Sequence, residues 1–264
     1  MTDDRTNDEP SLAARARGEG PDGEGTDGEG VYGTGTEPEP VDPLADPAYR
    51  AAVVDLLGVL AYGELTAFQR LADDAKLAPT IADKASLAAM AVAEFGHFVR
   101  LRDHLGGLGA DLEQAMAPYT AALDGFHEHT KPADWYEGLV KAYIGDGIGS
   151  DFYREMSAFL DQRTRSLVLE VLADTGHADF AVDRVRAATA LDRALAGRLA
   201  LWGRRLLGEA LAQAQRVAAE RDTLLPLFEG GAGRPGADLA ELTRIFARLT
   251  DAHTRRMATL GLAA

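Results

Sequence analysis

The segment "VAEFGHFVRLRDH", residues 92–104, carries two polar side chains on the apolar side of a predicted helix. Glu94 and His97 are three residues apart, and this spacing turns both side chains toward the same side of an α-helix. The other positions of the stripe are apolar: Leu87, Met90 and Leu101. A carboxylate and an imidazole in an apolar stripe indicate a helix whose buried face binds something polar.

The same periodicity continues along the chain after residue 46. Apolar residues recur at spacings of three and four, which is typical of helices and not of strands. The pattern predicts helices over residues 47–76, 81–105, 112–127, 135–160, from 162 onward, 193–222 and 239–260. Thr80 and Asp161 precede two of them and are predicted N-caps. The sequence therefore predicts an all-α helical bundle, to which the last two helices are additions.

The first 46 residues differ from the rest in composition. They contain 13 acidic and 3 basic residues, a net charge of −10 out of −15 for the whole chain of 264 residues. They are rich in Gly and Pro and have few apolar side chains, so they cannot offset the entropy lost on ordering. We expect a disordered acidic tail over residues 1–46 and one helical domain over residues 47–264.

Composition also excludes several classes of site. The chain has no cysteine, which excludes disulfides, iron–sulfur clusters, thiolate zinc sites and cysteine nucleophiles. No secretory signal is apparent, and no segment approaches the ~20 apolar residues of a membrane span. We expect a soluble, cytoplasmic protein whose metal ligands, if any, are Asp, Glu and His.

Six polar residues interrupt the apolar stripes of the predicted bundle: Glu64, Glu94, His97, Asp146, Asp174 and His177. A dinuclear carboxylate centre in a helical bundle uses one carboxylate from each of two helices and a Glu-x-x-His pair from each of the other two. The chain matches this pattern with Asp in place of Glu at positions 146 and 174. The pattern predicts a dinuclear metal site.

The distances of these residues from the connecting turns support a common site. Glu64 lies 15 residues before Pro79 and Glu94 lies 15 residues after it. Asp146 lies 15 residues before Asp161, and Asp174 lies 13 residues after it. In antiparallel helix pairs, equal distances from the turn place residues at the same height.

The donor set suits two iron ions, two manganese ions or a mixed pair. Four carboxylates balance the charge of two divalent cations, and two imidazoles leave positions open for dioxygen or water. Without metal, four buried carboxylates would repel one another and take up protons. Glycines also lie next to the ligand segments, where they cost helix stability and leave room for a ligand or for close helix packing: Gly63, Gly96, Gly145, Gly147 and Gly176.

Several assignments have alternatives. Asp151 or Glu155 could replace Asp146 by rotation of the same helix, and Glu170 is an extra candidate ligand that we expect to be solvated. Tyr143, one turn from Asp146, is a candidate hydrogen-bond donor to the site. The pair His127 and His129 is expected in a polar loop that faces water. The arginines of residues 183–205 are either a solvated face or a phosphate-binding surface.

The segments "GEL", "AEFGHF", "YIGDGI" and "LADTGHADFAVDRV" resemble the ferritin-like superfamily, and more narrowly the actinobacterial proteins grouped with the tRNA hydroxylase MiaE. The resemblance covers about residues 47–221. It implies a ferritin-like four-helix bundle in which the six polar residues bind two irons. It also implies a non-haem di-iron monooxygenase that hydroxylates the isopentenyl group of a modified tRNA adenosine.

Such an enzyme would use dioxygen as co-substrate, tRNA as a partner and a separate protein as electron donor. We expect a monomer or a small homo-oligomer. Three alternatives stay open at the level of sequence: a di-iron oxygenase that acts on a small metabolite, an iron-binding or ferroxidase protein with the same ligands, and a metal-free interaction protein.

Overall fold

The computed structural model describes residues 42–173, 178–231 and 233–264. Within them the chain forms nine α-helices: α1 (Pro47–Asp74), α2 (Ile81–Gly107), α3 (Leu112–Met116), α4 (Thr120–His129), α5 (Trp135–Ser157), α6 (Gln162–Val171), α7 (Ala178–Thr189), α8 (Arg193–Glu220) and α9 (Leu239–Thr259). The only strand-like pairing in the described residues is an isolated bridge between Gly231 and Arg234. The prediction of an all-α protein is confirmed.

Thr80 and Asp161 are the N-caps of α2 and α6, as predicted. The Thr80 hydroxyl accepts a hydrogen bond from the backbone N–H of Asp83 at 3.1 Å, and Asp161 accepts one from Thr164 at 3.0 Å. Asp46, followed by Pro47, caps α1 in the same way. Each cap satisfies a backbone donor that the first helical turn leaves without a partner.

Helix boundaries differ from the predictions in three places. Residues 43–45, which we assigned to the tail, form a 3-10 turn. The helix predicted over residues 112–127 is broken into α3 and α4, because Pro118 lacks a backbone N–H and cannot continue α3. The helix predicted from residue 162 onward ends at Val171, and α7 begins at Ala178.

Two hydrophobic clusters form the core, one toward each end of the long helices. The first cluster includes α1 as far as Ala61, α2 from Phe98 onward and Met156 of α5. The second includes Leu71 of α1, α2 as far as Ala91 and α5 as far as Ile144. The segments of α1, α2 and α5 between the clusters contain Glu64, Glu94, His97 and Asp146. The polar residues therefore lie at one level of the bundle, as their distances from the turns predicted.

One helical stretch, Pro47–Leu77, is long and apolar enough to cross a membrane. The sequence-based expectation that no segment approaches this composition was therefore wrong. The most apolar window of this stretch is 56% buried inside the protein, and α1 packs along α2 through the first cluster. α1 has the burial of a core helix.

Candidate metal centre

Three of the predicted ligands come together between α1 and α2. Glu64, Glu94 and His97 each offer a ligand atom, and these atoms all lie within 4.8 Å of one another. His97 Nδ1 lies 3.2 Å from Glu64 Oε2 and 3.6 Å from Glu94 Oε2. All three side chains are at most 12% exposed. The sequence predicted this grouping, since α1 and α2 are antiparallel neighbours that place the residues at matching heights.

The electrostatics of this cluster favour a bound positive charge. Burial raises the pKa of Glu64 well above its usual value; the hydrogen bond with His97 acts in the other direction, and the neighbouring Glu94 raises the pKa further. Burial opposes protonation of His97, but hydrogen bonds to Glu64 and Glu94 outweigh it and raise the pKa of His97 to about 10. The two carboxylates therefore hold a proton on His97, and a divalent cation could take its place.

Asp146 of α5 lines the same cavity as Glu64 and Glu94. Burial, followed by the negative charge of Glu94, raises the pKa of Asp146 to about 7, while His97 and Arg256 act in the other direction. The Asp146 side chain has an exposed surface that lines the cavity. Protein atoms nevertheless surround its carboxylate closely, and this surrounding disfavours the charged form. Asp146 lies within reach of the charges of Glu94 and His97, although its ligand atoms are not part of the 4.8 Å cluster.

The two alternatives to Asp146 are engaged elsewhere. Arg256 of α9 donates hydrogen bonds to the Asp151 carboxylate and to the Gly147 carbonyl, the latter at 2.9 Å. Arg248 binds both carboxylate oxygens of Glu155, at 2.9 and 2.7 Å. These ion pairs leave Asp146 as the α5 carboxylate that faces the cluster.

The second predicted pair, Asp174 and His177, lies outside the described residues. The sequence argument for it assumed one continuous helix, but α6 ends at Val171. Their role as ligands stays a prediction. Glu170, at the end of α6, is exposed, as expected for a solvated residue.

A cavity of about 170 Å³ lies beside the cluster. Glu64, Glu94 and Asp146 form part of its wall. Apolar residues form other parts: Leu60, Leu71, Leu123 and Phe126. A third group of lining residues carries charge or an imidazole: Arg70, Asp74, His127 and Lys141. The candidate metal centre therefore adjoins a space with both apolar and charged walls.

Tyr153, not Tyr143, lines this cavity. The Tyr153 hydroxyl lies 3.8 Å from the position that a Cβ on Gly63 would occupy, next to Glu64. Burial and then the charge of Glu64 raise the pKa of Tyr153, so its hydroxyl remains a proton donor. Tyr143 packs against the second hydrophobic cluster instead. Tyr153 lies one turn of helix after Gly149, which also lines the cavity. This spacing of four residues was the sequence signal that could have placed Tyr153 on the cavity side of α5.

The prediction that His127 and His129 lie in a loop was wrong, whereas the expected exposure to water holds for His129 and not for His127. Both belong to α4, which extends to His129. His127 is partly buried and lines the cavity, and burial lowers its pKa to about 3, so its imidazole is neutral. His129 is 59% exposed and lies 3.3 Å from Glu209.

The arginine-rich stretch that leads into α8 makes many contacts within the protein. Arg184 binds Asp83 at 2.8 Å, and Arg198 binds Asp134 at 2.5 Å. Arg198 also pairs with Glu137. These ion pairs favour a structural role for both arginines over phosphate binding.

Comparison with known protein families gives the chain its classification. The family model described as "Ferritin-like domain, actinomycetes" matches residues 47–231, which is more than half of the chain. The chain belongs to this family. The match covers α1 to α8 and includes every residue of the candidate metal centre.

A solved structure with the same fold supports this assignment. It is a protein from Synechococcus described as having aldehyde deformylating oxidase activity, with a TM-score of 0.63 and 22% sequence identity. The alignment covers 85% of this chain and 95% of that one. No curated protein matches the chain. At this identity the likeness shows a shared ferritin-like fold.

Proposed function

We propose that this protein is a metal-dependent oxidoreductase that uses dioxygen to oxidise a small organic substrate held in the cavity. The observation that carries the proposal is the cluster of Glu64, Glu94 and His97, whose ligand atoms lie within 4.8 Å of one another beside that cavity. The Synechococcus protein of the same fold, with its described oxidase activity, supports the same class of reaction.

The donor set fits a hard or borderline divalent cation such as iron or manganese. Carboxylate oxygens suit hard ions, and one imidazole adds a borderline ligand. Glu64, Glu94 and His97 would hold the first ion, and Asp146 lines the same cavity outside this cluster. A second ion would need further donors, for which Asp174 and His177 remain the predicted residues.

The bound metal ions would supply the activation of dioxygen and the transfer of electrons. The residues of the chain have separate tasks. Leu60, Leu71 and Phe126 exclude water from one side of the cavity and give an apolar group a place to bind. Tyr153 keeps a protonated hydroxyl beside Glu64 and can donate a hydrogen bond there. Hydroxylation with dioxygen also consumes an electron pair, which a separate donor protein would provide.

Two substrate classes fit this reaction. The tRNA isopentenyl group, implied by the resemblance to MiaE, is short and branched and could enter an apolar cavity. A small metabolite is the other class, and the ion pairs of Arg184 and Arg198 favour it, because these arginines already bind Asp83 and Asp134. We therefore place the small metabolite first and keep hydroxylation of tRNA as the second proposal.

Dioxygen consumption by iron-loaded protein tests the proposed reaction. Protein loaded with ferrous iron under anaerobic conditions should consume dioxygen when a chemical reductant is present, and Glu94→Ala should lose this activity. Glu113→Ala is the matched control, since Glu113 is exposed on α3. Iron-loaded wild-type protein that consumes no dioxygen above the Glu94→Ala background would reject the proposal.

Nucleoside analysis separates the two substrate classes. Loss of the hydroxylated isopentenyl nucleoside from the tRNA of a deletion strain would support tRNA. Unchanged tRNA nucleosides, together with dioxygen consumption by the purified protein, would support a small metabolite. Oxidation of iron with storage of ferric product, and no organic substrate turned over, would indicate a ferroxidase instead.

A further inference from the structure

Lys141 is a buried cation in the wall of the cavity. The residue is only 6% exposed, and it belongs to the same cavity lining as Asp146 and Glu64. Its ammonium group lies over the Phe126 ring, 5.6 Å from the ring centroid. Among the described residues, none hydrogen-bonds to the ammonium or forms an ion pair with it. A buried ammonium group without such a partner is costly unless a ligand provides one.

The charges around Lys141 leave a net positive charge at this end of the cavity. Arg70 and Asp74 of α1 line the same space, and the Asp74 carboxylate is the nearest counter-charge to Lys141, so these three side chains together carry two positive charges and one negative charge. His127 of α4 is neutral because burial lowers its pKa to about 3. Asp146 lies toward the metal-binding end on the same helix as Lys141. One uncompensated positive charge suits a ligand with a single negative charge.

The helices set the distance between this cation and the candidate metal centre. Lys141 and Asp146 are five residues apart on α5, which corresponds to about 7.5 Å along the helix axis. Arg70 and Glu64 are six residues apart on α1, or about 9 Å. The apolar residues Leu71 and Phe126 line the same cavity. The cavity thus has a cationic end, an apolar wall and a metal-binding end.

We propose that the substrate of this site is a small organic carboxylate whose anionic end binds Lys141 and whose apolar end reaches the metal-binding residues. This inference rests on the proposed function, because it assigns the substrate class of the same site. Lys141 would then be a binding residue that orients the apolar end toward Glu64, Glu94 and His97. The exposed Arg70 would assist at the side of the cavity that faces solvent.

Ligand-observed NMR with hexanoate and its neutral analogue hexanamide tests the proposal. The two probes have the same alkyl chain, which spans a distance similar to that between Lys141 and Asp146, so their difference reports on the charge. Wild-type protein should bind hexanoate about ten-fold more tightly than hexanamide. Lys141→Met should remove this preference, and Lys141→Arg should retain most of it. Equal affinities in wild-type protein, or an unchanged preference in Lys141→Met, would overturn the proposal.

A second variant keeps the test usable if Lys141→Met does not fold. Arg70 is exposed, so Arg70→Gln should fold normally and should weaken hexanoate binding without affecting hexanamide. Equal binding of hexanoate by Arg70→Gln and wild type, together with equal wild-type affinities for the two probes, would overturn the proposal without any Lys141 variant.

Glu94→Ala separates this inference from the proposed function. Hexanoate that binds Lys141 should still bind Glu94→Ala, which lacks a metal ligand. Loss of hexanoate binding in Glu94→Ala with full binding in Lys141→Met would show that the carboxylate binds metal, and would overturn the anion site alone. Normal, Lys141-dependent hexanoate binding in iron-loaded protein that consumes no dioxygen would reject the oxidoreductase and leave the anion site in place.

Discussion

Burial controls which residues around the cavity carry charge. It raises the pKa of Asp146 to about 7, lowers that of His127 to about 3 and lowers that of Lys141 to about 8. Protein atoms replace water around each group, and each shift therefore favours the neutral form. At neutral pH the His127 imidazole is neutral, and the Lys141 amine is protonated but loses its proton more readily than an exposed lysine does.

The lowered pKa of Lys141 predicts a specific pH dependence of stability. The amine loses its proton near pH 8 in the folded protein and near pH 10.5 in the unfolded chain. Between these values the unfolded chain binds more protons, so the free energy of unfolding should rise with pH. We expect wild-type protein to gain about 2 kcal/mol relative to Lys141→Met between pH 8 and pH 10. Urea denaturation of both proteins measures this difference, and parallel pH profiles would contradict it.

Only some of the residues around the cavity could be predicted from the sequence. Glu64, Glu94 and His97 could be predicted to meet because they follow helix periodicity and lie at equal distances from one turn. The position of Tyr153 in the cavity wall was not predicted, because helix spacing alone does not fix how far α5 rotates toward α1. Lys141 and His127 were missed because a cavity depends on how several helices pack, and no local pattern encodes that.

At the scale of elements, glycines in α5 shape both the cavity and the packing of α9. Gly145 lines the cavity, and an added Cβ would meet no atom within 4 Å. A Cβ on Gly147 would lie 2.1 Å from Arg256 Nε. The same residue type therefore preserves open space at one position and allows close packing at the other.

These two glycines give opposite predictions for substitution by alanine. Gly145→Ala should raise the free energy of unfolding by up to about 1 kcal/mol, since alanine favours the helix, but should weaken hexanoate binding by narrowing the cavity. Gly147→Ala should lower the free energy of unfolding by about 1 kcal/mol, because the new methyl group would displace Arg256 from its hydrogen bonds to the Gly147 carbonyl and the Asp151 carboxylate. Urea denaturation measures both values. Equal effects of the two substitutions would contradict the packing described for α5 and α9.

The start of α6 depends on a buried contact with α1. The Tyr49 hydroxyl donates to Asp161 Oδ2 at 3.1 Å and accepts from the Asp161 backbone N–H at 2.7 Å. Asp161 in turn caps α6. Because Asp161 is 112 residues away in sequence, the cap could be predicted but its tyrosine partner could not.

Removal of this hydroxyl should destabilise the protein. We expect Tyr49→Phe to lower the free energy of unfolding by about 1–3 kcal/mol, because it leaves a buried backbone N–H unsatisfied. Tyr62→Phe is the control, since Tyr62 donates to the Asp124 side chain at 3.0 Å in a partly buried position and should cost less. A Tyr49→Phe variant as stable as wild type would show that water satisfies Asp161.

At the scale of the whole molecule, α1, α2 and α5 support one site between two hydrophobic clusters. The all-α class could be predicted because apolar periodicity repeats over long helices, and the family because four short segments of the sequence resemble it. The break between α3 and α4 was missed although Pro118 was a local signal for it, and the end of α6 at Val171 was not predicted either. The level of the site along the bundle could be predicted from the distances of Glu64 and Glu94 to the turn between α1 and α2.

The described surface predicts a small assembly. Among the described residues, α2 carries three large exposed apolar side chains (Ile81, Val92 and Phe95), α9 carries two (Leu239 and Phe246), and the others are spread over further elements. A closed cage would need broad apolar faces between copies. We expect light scattering after size exclusion to give a monomer or a small homo-oligomer. A large hollow particle would instead support iron storage.

Metal content per chain is the most direct test of the central claim that Glu64, Glu94 and His97 bind a cation. Protein produced with added iron and manganese should retain metal after desalting, as measured by plasma mass spectrometry. Glu94→Ala should lose most of it, whereas Asp151→Asn should keep it, because Asp151 binds Arg256. Wild-type protein without metal, or Glu94→Ala with the full wild-type content, would contradict the account.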